Sequence, residues 1–274
     1  LLYASPSLSL RAVDTHTHSF SYAVLSNDLM AVKEVLEKYS RSDALLSWCT
    51  PRNGYVQVGI PGYASSLCGA MCFANPTIVM ELLESGADPK QFDVMGNDAL
   101  ILGSGFGRSE NVDLWFEKFP HWSVNRRNSL FGATAAHVCC NMGSSVLKTL
   151  ERLVFYGANL HAINSSGSSL LHDVVSSNDS NPQVVKYLLD NGLDPNLRSH
   201  ASSVKWRLIL LASRSLNRLL RLKHGSLIRR LASEEGRTPL QDAVLRGDME
   251  IVELLLERGA KPSIRNDLGR DVLS

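Results

Sequence analysis

The sequence predicts an all-α fold, a solenoid of stacked antiparallel helix pairs with hairpin loops protruding between the pairs. Three observations carry that expectation. Two distant segments, Gly62 to Pro89 and Gly236 to Pro262, align without a gap: Leu240 falls on Leu67, Ala243 on Ala70, Ile251-Val252 on Ile78-Val79, Leu255-Leu256 on Leu82-Leu83 and Gly259-Ala260 on Gly86-Ala87. Weaker copies lie between them at residues 96–119, 134–158 and 169–195. The first-helix marker position recurs at 67, 100, 136, 171, 240 and 273, in steps of 33, 36, 35, 69 and 33.

Each element has a local reason. In the Gly236 copy, Thr238 can cap a helix and Pro239 suits its first turn, where a missing N–H costs nothing. Ala243 and Ala70 are small enough for adjacent helices to approach closely. Leu255 and Leu256 form the apolar stripe of a second helix, and Gly259, Gly192, Gly157 and Gly86 stand where it ends in a left-handed residue. One such pair cannot bury its stripe alone, so the units must stack.

The chain thus reads as a lead-in, 1–17, followed by one repeat domain, 18–274, with units near 18–40, 62–95, 96–128, 132–165, 167–197 and 236–266. The degenerate first copy keeps Ala23, Val32 and Leu36 in place, and residues 41–62 add a long insertion loop. In the 96–119 copy Phe119-Pro120 replaces Gly-Ala, so its second helix should end differently. Residues 267–274 open a truncated unit in register, which predicts a further unit or a docked partner at that end.

The pattern G-x-T-P-L-x-x-A…G…I-V-x-L-L-x-x-G-A resembles the ankyrin repeat, from about residue 18 to the end. The resemblance implies a binding module that presents hairpin tips and first helices to a partner. Tips are then expected near Lys90–Asp93, His121–Asn128, His161–Ser165, Asn196–His200 and Lys261–Asp267. It also implies that His137 and His172, at the fourth position of T-P-L-H, are structural hydrogen-bonding residues.

Composition bounds the function classes. Apolar residues are 44% and charged residues 20%, an ordinary globular balance, and the net charge of +1 gives no global pull toward nucleic acid or membrane. Cys49, Cys68, Cys72, Cys139 and Cys140 are odd in number and sparse, as free thiols in a reducing compartment would be; an intracellular and most simply cytoplasmic location is expected, with an organelle as the alternative. Cys68 and Cys72, four apart on a helix, and Cys139-Cys140 read as small core residues rather than metal ligands.

One motif points elsewhere. Val13-Asp14-Thr15-His16-Thr17-His18 carries an Asp-x-His-x-His run that resembles the first metal-binding strand of amidohydrolases and histidinol-phosphatase-like enzymes. A metal-dependent hydrolase using Asp14, His16 and His18, with the repeats as accessory, is therefore the alternative reading. Such an enzyme needs further ligands on later strands, and the remainder is not strand-rich. Neither catalysis nor a cofactor is expected.

The remaining anomaly is residues 198–231, with nine Lys or Arg and no acid. The other 19 basic and 27 acidic residues leave the rest of the chain at −8. Arg207, Arg214, Arg218 and Arg221 share a helical face, opposite a stripe of Leu208, Leu211, Ala212, Ser215, Leu219 and Leu222. The step of 69 is about two periods, which favours a degenerate repeat hidden in the stack with Trp206 near its marker; a basic helical insertion is the other reading. Either way its exposed face suits a protein partner with an acidic surface. Membrane-surface contact through 198–231 is less favoured, and nucleic acid is not expected.

The expected function is a non-catalytic protein-protein interaction module, a scaffold or a subunit of a larger assembly. Aromatics and Arg dominate binding hot spots. Phe92, Trp122, Arg126, Arg127 and Arg265, with the arginines of the basic segment, are accordingly the candidate partner-binding residues.

Overall fold

The computed structural model describes residues 20, 22–38, 65–142, 146–177, 179–202, 205–212 and 236–273. They are helical with connecting turns, and no strand occurs among them. The chain forms two compact units, Leu1–Trp122 and Ser123–Ser274.

In the first unit, a short helical segment at 22–25 precedes α1 (Leu29–Lys38). The pairs α2 (Ser66–Phe73) with α3 (Pro76–Glu84), and α4 (Ala99–Gly105) with α5 (Ser109–Lys118), follow. First helices pack on first helices, α2 on α4, and second helices on second, α1 and α5 on α3. The helix starts are those of good capping residues. Ser65 accepts from the Cys68 N–H, Asn75 from Ile78 and Asp98 from Ile101, with Pro76 in the first turn of α3.

In the first unit the close approach of first helices depends on a small side chain at one position. Gly103 occupies the position of Ala70, and a β-carbon added there would lie 2.9 Å from the Met71 carbonyl oxygen. The carbonyls that end α2 find donors in the next pair: Asn111 Nδ2 donates to Met71 and Ala74, and Arg108 Nη2 to Phe73 and Ala74. At the end of α5 the missing Gly-Ala is replaced by an aromatic cluster. Trp115, Phe119 and Trp122 stack with ring centroids 4.9–5.8 Å apart.

The second unit holds α6 (Ala135–Met142) with α7 (Leu147–Phe155), and α8 (Leu170–Ser176) with α9 (Pro182–Asp190). Helix α10 (205–212) comes next, then α11 (Pro239–Arg246) with α12 (Met249–Glu257). Helix α8 packs on α6 and on α11, and α9 on α12. The pair ending at Asp190 therefore stacks directly on the pair beginning at Pro239. This overturns the expectation of a hidden repeat at 198–232: the step of 69 is one ordinary step plus an insertion.

The stripe expected on the inserted segment is corrected as well. Leu208 and Leu211 are 60% and 54% exposed and Ala212 is exposed, whereas Trp206 and Leu210 are buried. Residues Ser215, Leu219 and Leu222 lie outside the described residues, as do 41–62 and the start of the chain.

Two substitutions test the packing. Leu255 is fully buried, so Leu255→Ala should cost ~2–5 kcal/mol in denaturant unfolding. Gly103→Ala gains ~1 kcal/mol of helix propensity but forces backbone apart, at ~1–3 kcal/mol, so a net loss is expected in the same measurement.

Candidate functional site: the row of hairpin tips

Each helix pair is joined to the next by a hairpin whose tip is built from one recurring device. The N–H of Asp93 donates to Asn97 O at 2.9 Å, that of Asn128 to Ala133 O at 2.8 Å, Asn164 to Ser168 O at 3.0 Å and Asn266 to Arg270 O at 2.8 Å. The same side chains fold back over the turn. Asp93 accepts from the Met95 and Asn97 N–H groups, Asn128 from Phe131 and Ala133, Asn164 from Ser166 and Ser168, and Asn266 from Leu268 and Arg270. The last tip residue is a left-handed glycine: Gly96, Gly132, Gly167 or Gly269.

The tips thus lie a few residues beyond the expected ones, because the closing bond sits at the Asx residue rather than before it. The signal for them in the sequence is D/N-x-x-G or D/N-x-x-x-G.

Ser199 holds the same place in the hairpin between α9 and α11. Its N–H donates to Arg237 O at 3.0 Å, the Gly236 N–H donates back to Ser199 O at 2.8 Å, and Gly236 is left-handed. Residues 200–236 therefore stand where 94–96, 129–132, 165–167 and 267–269 stand in the other hairpins. The basic segment is thus bounded in the chain by the closing bonds of a hairpin tip.

Successive tips are tied together. The Ser165 N–H donates to Phe131 O, and the Ser202 N–H and hydroxyl both donate to Ser165 O. Asn125 bridges to the adjacent unit by donating to Gly157 O and accepting from the Asn159 N–H; Asn196 does the same with Gly259 and Lys261.

Among the candidate residues, Arg127 is a latch: it donates to Gly132 O of its own tip at 3.0 Å and to Ile163 O before the next at 2.6 Å. Arg198 repeats that role, donating to Gly236 O at 2.9 Å and pairing with Asp267. Trp122 is half-buried in the aromatic cluster and donates to Asp98 at 3.3 Å, so it holds the first unit together. Arg126 is half-buried, Phe92 is half exposed beside its tip, and Arg207 and Arg265 are exposed, the latter 3.9 Å from Asp271. Arg214, Arg218 and Arg221 lie outside the described residues.

The first-helix histidines stand at equivalent places, and His172 braces the hairpin beside it. His137 and His172 Nδ1 lie 2.8 Å from the hydroxyls of Thr134 and Ser169 and accept from the backbone N–H groups of those residues. With Nδ1 accepting, the proton resides on Nε2, which in His172 donates to Arg237 O at 3.0 Å. Gln241 is the equivalent residue of the next unit: its carbonyl accepts from Thr238 and its amide donates to Ile264 and Arg270.

Burial, with the nearby Arg127 charge, pushes His137 down to about 4, against the pull of the Ser168 and Ala162 carbonyls. Burial also lowers His172, although Asp242 acts in the opposite direction. The thiols of Cys68, Cys72, Cys139 and Cys140 are buried and none of the four is in a disulfide, and burial pushes Cys68 up to about 12. Among the described residues no group of three or more His, Cys, Asp or Glu is placed to hold a metal. Asp14, His16 and His18 lie outside them.

Comparison with known proteins agrees with this geometry. The family model for ankyrin repeats in three copies matches residues 67–199, and the single ankyrin repeat model matches 235–267. The chain belongs to the ankyrin repeat family. The two matches leave out 200–234, the segment inserted at the fourth tip. The chain is 24% identical over 216 residues to the ankyrin repeat domain-containing protein M-T5 of Myxoma virus (strain Lausanne), covering 72% of this chain and 42% of that protein. It spans less than half the length of the curated relatives it matches.

Among solved structures, the human ASB11 ankyrin repeat domain superposes with TM-score 0.60 at 19% identity, over 93% of this chain and 89% of that one. The ankyrin repeat domain of Bcl-3 gives 0.57 at 21%, over 93% and 92%. These likenesses show the fold.

The histidine states generate a pH dependence. Between about 6.5 and about 4 the native chain keeps His137 neutral while the unfolded chain takes up a proton there. Stability should therefore fall as pH drops through that window, by up to ~1.4 kcal/mol per pH unit for such a ring. His137→Gln, copying Gln241, should flatten the slope in urea unfolding run at stepped pH.

Proposed function

We propose that this protein is a non-catalytic binding subunit or scaffold that holds another protein along its hairpin tips and the adjoining first helices. Ankyrin repeats make protein-protein interaction modules. The observation that carries the reading here is the construction of the tips. Their backbone and Asx groups are satisfied internally, so the outward side chains are not needed to hold the turns. Phe92, Val94 and Leu130 at those tips are large, apolar and exposed, the type of surface that a partner covers.

Within the second unit, Arg126 and Arg265 beside the tips, and Arg207 on α10, add cationic side chains near the tips there. Arg127 latches consecutive tips within the second unit, and Trp122 holds the aromatic cluster within the first. A reducing, intracellular and most simply cytoplasmic setting is supported by four buried thiols that are not in disulfides. No helix among the described residues is long and apolar enough to cross a membrane. The metal-dependent hydrolase built on Asp14, His16 and His18 has no observation in its favour among the described residues.

Lysines report the edge used. Lys90 and Lys261 flank tips and Lys205 opens α10, whereas Lys118, Lys148 and Lys186 sit exposed on second helices. Affinity capture with amine crosslinking and mass spectrometry should place partner crosslinks on the first three. Crosslinks confined to the second-helix lysines would overturn the reading. His16→Ala/His18→Ala should leave stability, partner binding and metal content unchanged. Loss of a bound divalent metal in that variant would revive the hydrolase.

A further inference from the structure

We propose that the solvent side of α7, around Phe155, is a second docking surface, for a short acidic polypeptide segment with an apolar anchor. It lies on a second helix and does not depend on the tips, so a chain using both surfaces would bring two partners together. The register of the repeats picks it out. The position of Phe155 is held by Glu84 in α3, Glu117 in α5, Asp190 in α9 and Glu257 in α12, all exposed. Those acids make an ordinary solvated face. Phe155, 70% exposed, does not.

The ring is braced before any partner arrives. The guanidinium carbon of Arg152 lies 4.5 Å from the Phe155 centroid and 5.3 Å from that of Tyr156. Arg152 Nη2 also donates to the Tyr156 hydroxyl at 3.3 Å. Phe155 and Tyr156 meet edge to face at 83°, with centroids 5.1 Å apart. An exposed side chain ordinarily loses rotamer freedom on binding, and a ring already held against Arg and Tyr has less to lose. Aromatic and Arg side chains grouped in this way are the type that dominates interface energetics.

Charge selects the occupant. On α7, Lys148, Arg152 and Phe155 recur at i, i+4 and i+7 and so share one side of the helix. Lys148 and Arg152 outnumber Glu151, the one acid of α7, whereas α3, α5 and α12 carry surplus acid and α9 is balanced. Glu151 lies near Tyr187 of α9, whose hydroxyl is raised by burial and by that charge. Within the same unit, α12 presents Glu250, Glu253 and Glu257 and no cation. An acidic segment is therefore attracted to α7 and repelled by α12. A nucleic-acid backbone needs more phosphate contacts than two cations supply, and one aromatic pair is too small an apolar face to hold a membrane surface.

The test uses the full chain and the fluorescence anisotropy of a fluorescein-labelled peptide with a Leu-Phe core between flanks of Glu. Its Lys-flanked counterpart and phosphatidylserine-containing vesicles serve as further probes. Two substitutions copy residues found at the same register in other pairs: Phe155→Glu, after Glu84, Glu117 and Glu257, and Lys148→Glu, after Glu110 and Glu250. Both positions are exposed, so both variants should melt as the parent does. Leu130→Glu, at a tip of the same unit, is the control.

Salt-sensitive binding of the Glu-flanked peptide is expected, weakened about tenfold or more by Phe155→Glu and about threefold by Lys148→Glu, and unchanged by Leu130→Glu. The proposal is overturned if the parent does not bind the peptide or if Phe155→Glu binds it equally. It is overturned too if Leu130→Glu weakens binding as much, or if the Lys-flanked peptide or the vesicles bind as well. Self-association that Phe155→Glu abolishes, without peptide binding, would assign the surface to a second copy and likewise overturn it. Peptide binding lost in Phe155→Glu, while captured partner still crosslinks to Lys90 and Lys261, would support two separate surfaces. Crosslinks missing from those tip lysines would overturn the tip reading and leave the α7 surface standing.

Discussion

A helix of eight or nine residues is too short to be stable alone in water, and a pair of them still exposes an apolar stripe on either side. Everything else in this molecule follows from the need to cover those sides with another pair of the same kind. First helices must meet closely, which is why Ala70, Gly103 and Ala243 are small where the marker leucines are large. Second helices carry branched and Leu residues inward, and Val79, Val112, Val185 and Val252 are all buried. The helix ends then fall at fixed places, and their orphan groups are met by Asn, Ser, Thr or Arg from the same or the adjacent pair.

The hairpin tips are a separate system laid over that stack. A tip needs only a closing pair of backbone bonds, a left-handed glycine and an acceptor at the Asx position. None of these depends on what lies between the closing residues. Loop-closure entropy rises slowly, by ~0.6 kcal/mol for each doubling of length, so replacing three residues by 200–236 costs on the order of 2 kcal/mol. The stack tolerates this without a change of register, as the direct packing of α8 on α11 and α9 on α12 demonstrates. At that hairpin the Asx residue becomes Ser199, whose side chain has no short turn to fold over. An edge built this way can take an insertion without disturbing the core.

The polar groups nearest that edge are occupied structurally. Arg127 and Arg198 hold consecutive tips together, and His172 and Gln241 join first helices to hairpins. Residues that resemble a catalytic or anion-binding set in composition are here spent on backbone carbonyls. What remains available to a partner is the exposed apolar and cationic surface outside those ties.

The sequence by itself determined the repeat, its register and the helix pairs, because each reports on a periodic need that every unit must satisfy within its own residues. Leu240 on Leu67 and Gly259 on Gly86 needed no structure to align. The altered end of α5 at Phe119 and the core roles of Cys139, His137 and His172 were legible for the same reason. Only the tertiary structure decided the fate of residues 198–231. Their length matched a repeat and their Leu spacing matched a helix, but neither property says what lies on the other side of a segment. The bond between Ser199 and Arg237 joins residues far apart in the chain, and with the packing of α8 on α11 it turns a repeat-length stretch into an insertion. Likewise Leu208 and Leu211 look like core residues until Trp206 and Leu210 are seen to hold the buried face. Burial is a property of the neighbour as much as of the residue, and neighbours across a stack are not written in local periodicity.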